Sequence, residues 1–400
     1  MQNRCRAGRS LESTGVRYVY FDNNATTPLD PRVRAAMAAW LGEACGNPSS
    51  AHRAGQAARE AVEAARDRVA ALLAADASEI VLTASGTEAN NTVVADTLRG
   101  AGAGDRVVLS AFEHPSILKA CEAWAATAGV EVVRVAPGAD GCVDAEAFTA
   151  ELGPRTRLAA LMLANNELGT VQPVTAVAAR CRELGVPLLC DAVQAAGKIP
   201  VAVGELGADY VTIGAHKFHG PLGAAALWIR AGGAGPVPFL VGGAQERRRR
   251  ASTVNVPAVV GFGVACELAR TEREERTRHL ASLRDRFEAG VASIPDAEIH
   301  GSGAPRVPHT SNVAFHGTLN QELMMRLDLA GFAVSTGAAC GSGVVEPSPA
   351  LTALGLDREH ALASLRVSFG VQNTLEEVDA FLGVLAHEVA ALRAAAAVAT

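Results

Sequence analysis

At 400 residues the chain exceeds what one hydrophobic core organises, so a large domain, a smaller one and a cleft between them are expected. The formal net charge of -6 argues against nucleic acid or an anionic membrane as main partner, and no uninterrupted apolar run is long enough to span a bilayer. Apolar residues make up 49% and aromatic ones 4%, so the core should be built from Ala, Val and Leu in helices packed closely on a sheet.

Residues 1–17 are Arg-rich and poor in acids, as transit peptides are, but lack an amphipathic repeat; we read them as a loose, disordered extension. From about residue 80 to 230, short apolar runs alternate with helical stretches: 80–82, 106–110, 130–135, 158–163, 187–190, 210–213 and 224–229. Seven such runs predict an α/β fold with a mainly parallel seven-stranded sheet, helices on both faces. Ligands then sit beyond the carboxyl ends of strands, where His114, Asn165, Asn166, Asp191, Gln194, His216 and Lys217 fall. A charged helix over 271–289 leads into a smaller α+β region, with strands near 312–315, 332–335 and 365–369 and a closing helix over 375–392. The large domain is expected over 28–270, the small one over 18–27 plus 271–400.

Cys5, Cys45, Cys121, Cys142, Cys181, Cys190, Cys266 and Cys340 form no CxxC pair, so neither a zinc ribbon nor a disulfide framework is suggested; reduced cytoplasmic thiols fit. Ser85-Gly86-Thr87-Glu88 reads as a capped helix start, which presents free N–H groups suited to a phosphate, although most such caps bind nothing. Asp191 ends an apolar strand, where a buried carboxylate needs a cation, and a protonated pyridine nitrogen would serve. Lys217 ends a later strand, where desolvation makes an amine nucleophilic. Arg366, in the apolar run 365–369, needs an anion: a substrate carboxylate or a structural carboxylate of its own chain. The run Arg247–Arg250 is solvated charge, a nucleic-acid contact or an electropositive rim near a phosphate, and its place beside Thr253 favours the rim.

FDNNATTP (21–28), GNPSS (46–50), SGTEANN (85–91), EHPSIL (113–118), NNELGTVQP (165–173), DAVQAAGK (191–198), AHKFHGPLG (215–223), GGAQERRRR (242–250) and the Cys340 segment, in that order, resemble the NifS/IscS-type cysteine desulfurases. The resemblance implies pyridoxal-phosphate fold type I, with Lys217 carrying the cofactor, Asp191 on its ring nitrogen, His114 stacked on the ring, and Asn166 and Gln194 near its phenolic oxygen. It further implies phosphate contacts from Gly86, Thr87 and His216, with Thr253 reaching in from the second subunit of a homodimer, and Arg366 and Asn166 as substrate-binding residues. The family commonly has Ser where this chain has Gly214, so one phosphate donor is missing.

Cys340 lies among three glycines in 335–343, small residues that suit a mobile loop, whereas Cys121, Cys181, Cys190 and Cys266 read as core fillers. By resemblance Cys340 is the nucleophile that takes sulfur from L-cysteine as a persulfide and passes it to an iron-sulfur scaffold protein. No intrinsic metal is implied, although Cys340 could ligate a cluster shared with that scaffold. The wording of NNATTPLDP and GNPSSAH leans towards the nitrogen-fixation type. An aminotransferase or selenocysteine lyase on the same fold, and a catalytically silent partner-binding protein, are the competing expectations.

Overall fold

The computed structural model describes residues 18–42, 44–232, 235–337 and 346–399, so the expected extension 1–17 and Cys340 lie outside the described residues. Twelve strands are described: β1 (Val19–Tyr20), β2 (Ile80–Thr83), β3 (Arg106–Ser110), β4 (Glu131–Val135), β5 (Thr156–Ala160), β6 (Leu188–Asp191), β7 (Tyr210–Gly214), β8 (Ala225–Ile229), β9 (Ala297–His300), β10 (Thr310–Phe315), β11 (Phe332–Ala333) and β12 (Ser364–Ser368). Seven form the main sheet, in the order β2-β8-β7-β6-β5-β3-β4. Runs such as Leu188-Leu189-Cys190 and Ala225 to Ile229 are buried throughout, as strands covered on both faces must be.

Every neighbour in this sheet is parallel except β8, which runs antiparallel to both β2 and β7. The connection over 215–224 is too short for the helical crossover a parallel partner requires, so the chain folds straight back. That tight return holds His216 and Lys217 at the carboxyl end of β7. The strand expected at 158–163 is displaced to Thr156–Ala160 by ladder pairing, but the chain stays extended: Leu161 N–H donates to Leu189 C=O (3.0 Å) and Leu163 N–H to Asp191 C=O (2.9 Å). This carries Asn165 and Asn166 out over the sheet edge.

The Ala-rich composition shows in the helices. Where Val256–Thr271 crosses Arg53–Leu73, a Cβ on Gly263 would lie 2.6 Å from Ala65 Cα, so only glycine allows that approach.

A second core gathers Val19, Phe21, Leu283, Phe287, Phe369 and Phe381 around the antiparallel sheet β12-β10-β9. β1, too short to be read from sequence, pairs parallel with β11 and brings Phe21 edge-on to Phe369 at 5.1 Å between ring centroids. The closing helix Leu375–Ala399 buries Val378, Phe381, Leu385, Val389 and Leu392 at helical spacing in this core. By length and composition alone its stretch Leu375–Ala397 could cross a membrane; the buried stripe gives the apolar face its partner here.

Candidate active site

Ends of β6 and β7, the helix starting at Gly86, the turn after β5 and strand β12 surround one cavity of ≈470 Å³. Gly86, Thr87, His114, Asn166, Asp191, Gln194, His216, Lys217 and Arg366 all border it. Of the other expected site residues, Thr253 is exposed and outside the lining, Gly214 is buried at the end of β7 behind Val193 and His216, and Cys340 is not among the described residues.

Asp191 is 6% exposed and has two donors, one to each oxygen: Val193 N–H to Oδ1 and Asn90 Nδ2 to Oδ2, both at 2.9 Å. Neither is a cation, so the carboxylate is oriented but not neutralised. Asn90 also donates to Ser116 Oγ (2.9 Å), which bonds His114 Nδ1 (2.7 Å). Sequence reasoning gave Asn90 and Ser116 no role. Asn90 lies one helical turn below Gly86, which was the available signal.

His114 caps the helix Pro115–Ala128, its Nδ1 accepting the Ser116 N–H at 3.1 Å. An accepting Nδ1 carries no proton, so the neutral ring has its proton on Nε2. Burial holds the imidazole below its ordinary value against the opposing pull of Asp191.

The helix Gly86–Leu98 starts as expected, with Ser85 Oγ accepting Glu88 N–H at 3.1 Å. Glu88 reaches back to Ala84 N–H (2.9 Å) and is gripped by Arg250 at 2.8 and 3.2 Å. The arginine run is thus largely committed to the protein itself, since Arg247 and Arg249 both donate to Ser78 C=O. Neither of those two residues borders the cavity of its own chain. Arg250 alone approaches the helix start, through Glu88.

Burial, then the charge of Arg366, brings the Lys217 amine down to about 8 from its usual 10.5. It donates to the carbonyls of Asn24 (2.5 Å) and Ala25 (2.9 Å). Asn24 is the hub that the sequence did not reveal. Its carbonyl also accepts Gln194 Nε2 (3.0 Å), its Nδ2 donates to Asn166 C=O (3.0 Å), and its Oδ1 meets His309 Nε2 (2.7 Å). Asn165 is structural: its Oδ1 accepts the N–H groups of Glu167 and Leu168 at 2.9 Å, making the turn that presents Asn166.

Arg366 is 4% exposed and donates to Asn166 C=O (3.1 Å) and Asp22 Oδ1 (2.6 Å), while its Nε is buried without a partner among the described residues. Both readings of this arginine thus meet in one place: it has a carboxylate of its own chain, and it borders the cavity.

Beneath the wall, Glu113 is buried, with Oε1 accepting from Ser110 Oγ (2.6 Å) and Met162 N–H (2.7 Å) and Oε2 without a partner among the described residues. Burial pushes its carboxyl up to about 8 from 4.5. The folded state therefore keeps a proton the unfolded chain has lost, and stability falls as pH rises from about 4.5 to 8, by about 1.4 kcal/mol per pH unit. Glu113→Gln removes that titration. Its stability relative to the unsubstituted protein is expected to improve by on the order of 2–3 kcal/mol between pH 5.5 and 8 in denaturant unfolding; parallel pH profiles would rule this out.

The aminotransferase class-V family model matches residues 19–381. The cysteine desulfurase of Cereibacter sphaeroides is 42% identical over 381 residues, 94% of this chain and 97% of that protein. The cysteine desulfurase IscS of Methanosarcina thermophila is 39% identical, covering 95% of this chain and 94% of that one. Among solved structures, a NifS-like protein superposes with a TM-score of 0.86 at 35% identity, covering 93% of this chain and 99% of its own. The structure of SspA in complex with cysteine matches with a TM-score of 0.77 at 29% identity, covering 88% of this chain and 98% of that chain. With its strand-end residues gathered on one cavity and 94% of its length aligned to a cysteine desulfurase at 42% identity, the chain belongs to the aminotransferase class-V family, among the cysteine desulfurases.

Proposed function

We propose that this protein is a pyridoxal-phosphate-dependent cysteine desulfurase that converts L-cysteine to L-alanine and keeps the sulfur as a persulfide on Cys340. One observation carries the reading: an oriented carboxylate with no ion-pair partner among the described residues (Asp191), a desolvated amine (Lys217) and a buried guanidinium (Arg366) border the same cavity.

The donor set fits the cofactor. Asp191 would face the ring nitrogen, Gly86 and Thr87 N–H groups with His216 would hold the phosphate, His114 would flank the ring, and Asn166 and Gln194 would serve the phenolic oxygen. Bound there, pyridoxal phosphate supplies an electron sink for the carbon that loses its proton. Arg366 then holds the substrate carboxylate, and Lys217, released as a neutral amine, takes the α-proton. His114 presents its Nε2–H to the same space. The Cys340 thiolate attacks the substrate sulfur; the carbon–sulfur bond breaks as the sulfur–sulfur bond forms, the electron pair stays on carbon, and carbon takes a proton on the way to alanine. A second thiol removes the outer sulfur by exchange.

The exposed Thr253 would complete the phosphate site of a partner in a homodimer. The sulfur would pass to an iron-sulfur scaffold protein in the cytoplasm, with the nitrogen-fixation type favoured by the N-terminal motifs.

The deciding experiment measures alanine and sulfide release from L-cysteine plus a reductant. Cys340→Ala is expected to keep the visible cofactor band and lose alanine release by roughly 10³-fold or more. Undiminished alanine release would overturn the assignment, and turnover requiring a keto acid or selenocysteine would move it to a sister activity.

Gly214 gives a second test. Its backbone is extended (φ -131°, ψ 126°), and an added Cβ would make ordinary contacts at 3.6 Å with Val193 and 3.7 Å with His216. Nothing there demands glycine. Gly214→Ser is expected to tighten the cofactor roughly 10- to 100-fold, the worth of one hydrogen bond to a charged group, in an equilibrium titration of the stripped protein. Unchanged affinity would place the missing hydroxyl out of reach of the phosphate.

A further inference from the structure

Lys198 is a lysine 5% exposed, inside the DAVQAAGK motif, and the proposed reaction does not use it. Its Nζ donates to Gln194 Oε1 at 3.0 Å, and it forms no ion pair among the described residues. On its other side lies a cavity of ≈20 Å³, about one water in size, which it shares with Lys217, His309 and Arg276. The titratable side chains on that cavity, Lys198, Lys217, His219, Arg276 and His309, are all basic, and Asn23 and Thr27 are its neutral polar ones.

Gln194 is bonded at both ends of its amide. Oε1 accepts from Lys198, and Nε2 donates to the Asn24 carbonyl, which also receives Lys217. The Asn24 carbonyl can only accept, so Nε2 of this amide must face Asn24, which leaves Oε1 to take the hydrogen bond from the Lys198 amine. The second Nε2–H is then left for whatever occupies the large cavity that Gln194 borders.

We propose that Lys198 is a positioning residue of the active site, a neutral buried amine that locks the Gln194 amide so that it offers an N–H to the cofactor's phenolic oxygen. Burial, followed by the charges of Lys217 and Arg366, holds its amine well below the ordinary lysine value, in keeping with neutrality. The inference rests on the cofactor reading above. It deepens that reading, because a donor to the phenolic oxygen stabilises negative charge there and so lowers the pH at which the link to Lys217 gives up its proton.

The test titrates the visible cofactor band of the holoenzyme. Lys198→Met is expected to raise the pH midpoint by roughly half to one unit, Gln194→Leu by a similar amount, and the double variant no further, because one hydrogen bond is being removed from either side. In the same Met variant kcat for L-cysteine should fall about 3- to 10-fold, with KM within about twofold. Lys198→Leu is a second removal if Met yields no holoenzyme, and Lys198→Gln, which keeps an uncharged N–H donor, should return most of the shift. An unmoved midpoint, or shifts from positions 194 and 198 that add, would overturn the role of Lys198. Absence of a cofactor band in the unsubstituted protein would instead overturn the cofactor reading itself.

Discussion

Asp191→Ala is expected to lower kcat for L-cysteine by roughly 10³-fold or more while the protein still folds and still binds the cofactor. The carboxylate has a polar donor on each oxygen, Val193 N–H and Asn90 Nδ2 at 2.9 Å, and these fix its direction without cancelling its charge. A protonated ring nitrogen opposite it would be the missing cation. Without that carboxylate nothing would hold a bound ring's nitrogen protonated, and the cofactor would supply a weaker sink for the charge left by the departing α-proton. The substitution also strands one N–H of the Asn90 amide, whose other bond goes to Ser116, and the Val193 N–H, at about 1–3 kcal/mol each, so a melt lowered by several degrees is part of the expectation. Loss of fold and loss of chemistry are separated by rescue: a cofactor analogue methylated on the ring nitrogen, permanently cationic, should restore much of the rate to Asp191→Ala. A variant within about tenfold of the unsubstituted rate, or one deaf to the analogue, would remove Asp191 from the chemistry.

The same residue shows why part of this site was readable from the chain. In a mainly parallel sheet the carboxyl ends of strands converge, so a carboxylate after Leu188-Leu189-Cys190 and a lysine after β7 point to one crevice before any coordinates exist. The groups that orient them were not readable, since each comes from a contact remote in sequence. Asn24 meets Gln194, Lys217 and His309 across most of the chain. Lys198 and Glu113 were passed over for another reason: composition places charged residues at the surface, and only the fold shows that these two are buried. The reversal of β8 and the half-exposed β9 were hidden because apolar runs carry no sign of direction and short strands little periodicity.

Arg366 is where the sequence left two partners open and the fold shows one, Asp22, beside the cavity that would admit the other, and its expected effect is the sharpest on binding. Arg366→Lys should raise KM for L-cysteine roughly 100-fold with kcat within about fivefold, the pattern of an interaction made equally in ground and transition states. A lysine cannot reach Asn166 C=O and Asp22 together, at 3.1 and 2.6 Å from two different guanidinium nitrogens, and still offer a position to a substrate. Nε has no partner among the described residues, so those residues do not use up the fork. If Arg366 served only to hold Asp22, cysteine and its carboxylate-free analogue cysteamine would suffer alike in an Arg366 variant, and Asp22→Asn would reproduce the damage. If it holds the substrate carboxylate, the preference for cysteine over cysteamine should collapse towards unity in Arg366→Leu, because the group that told them apart is gone. Asp22→Asn should keep that preference, since it removes a competitor for the guanidinium and leaves the guanidinium in place. Retained discrimination in Arg366→Leu would assign the residue to the Asp22 ion pair alone and send the search for the carboxylate anchor to Asn166 and the remaining donors of the cavity.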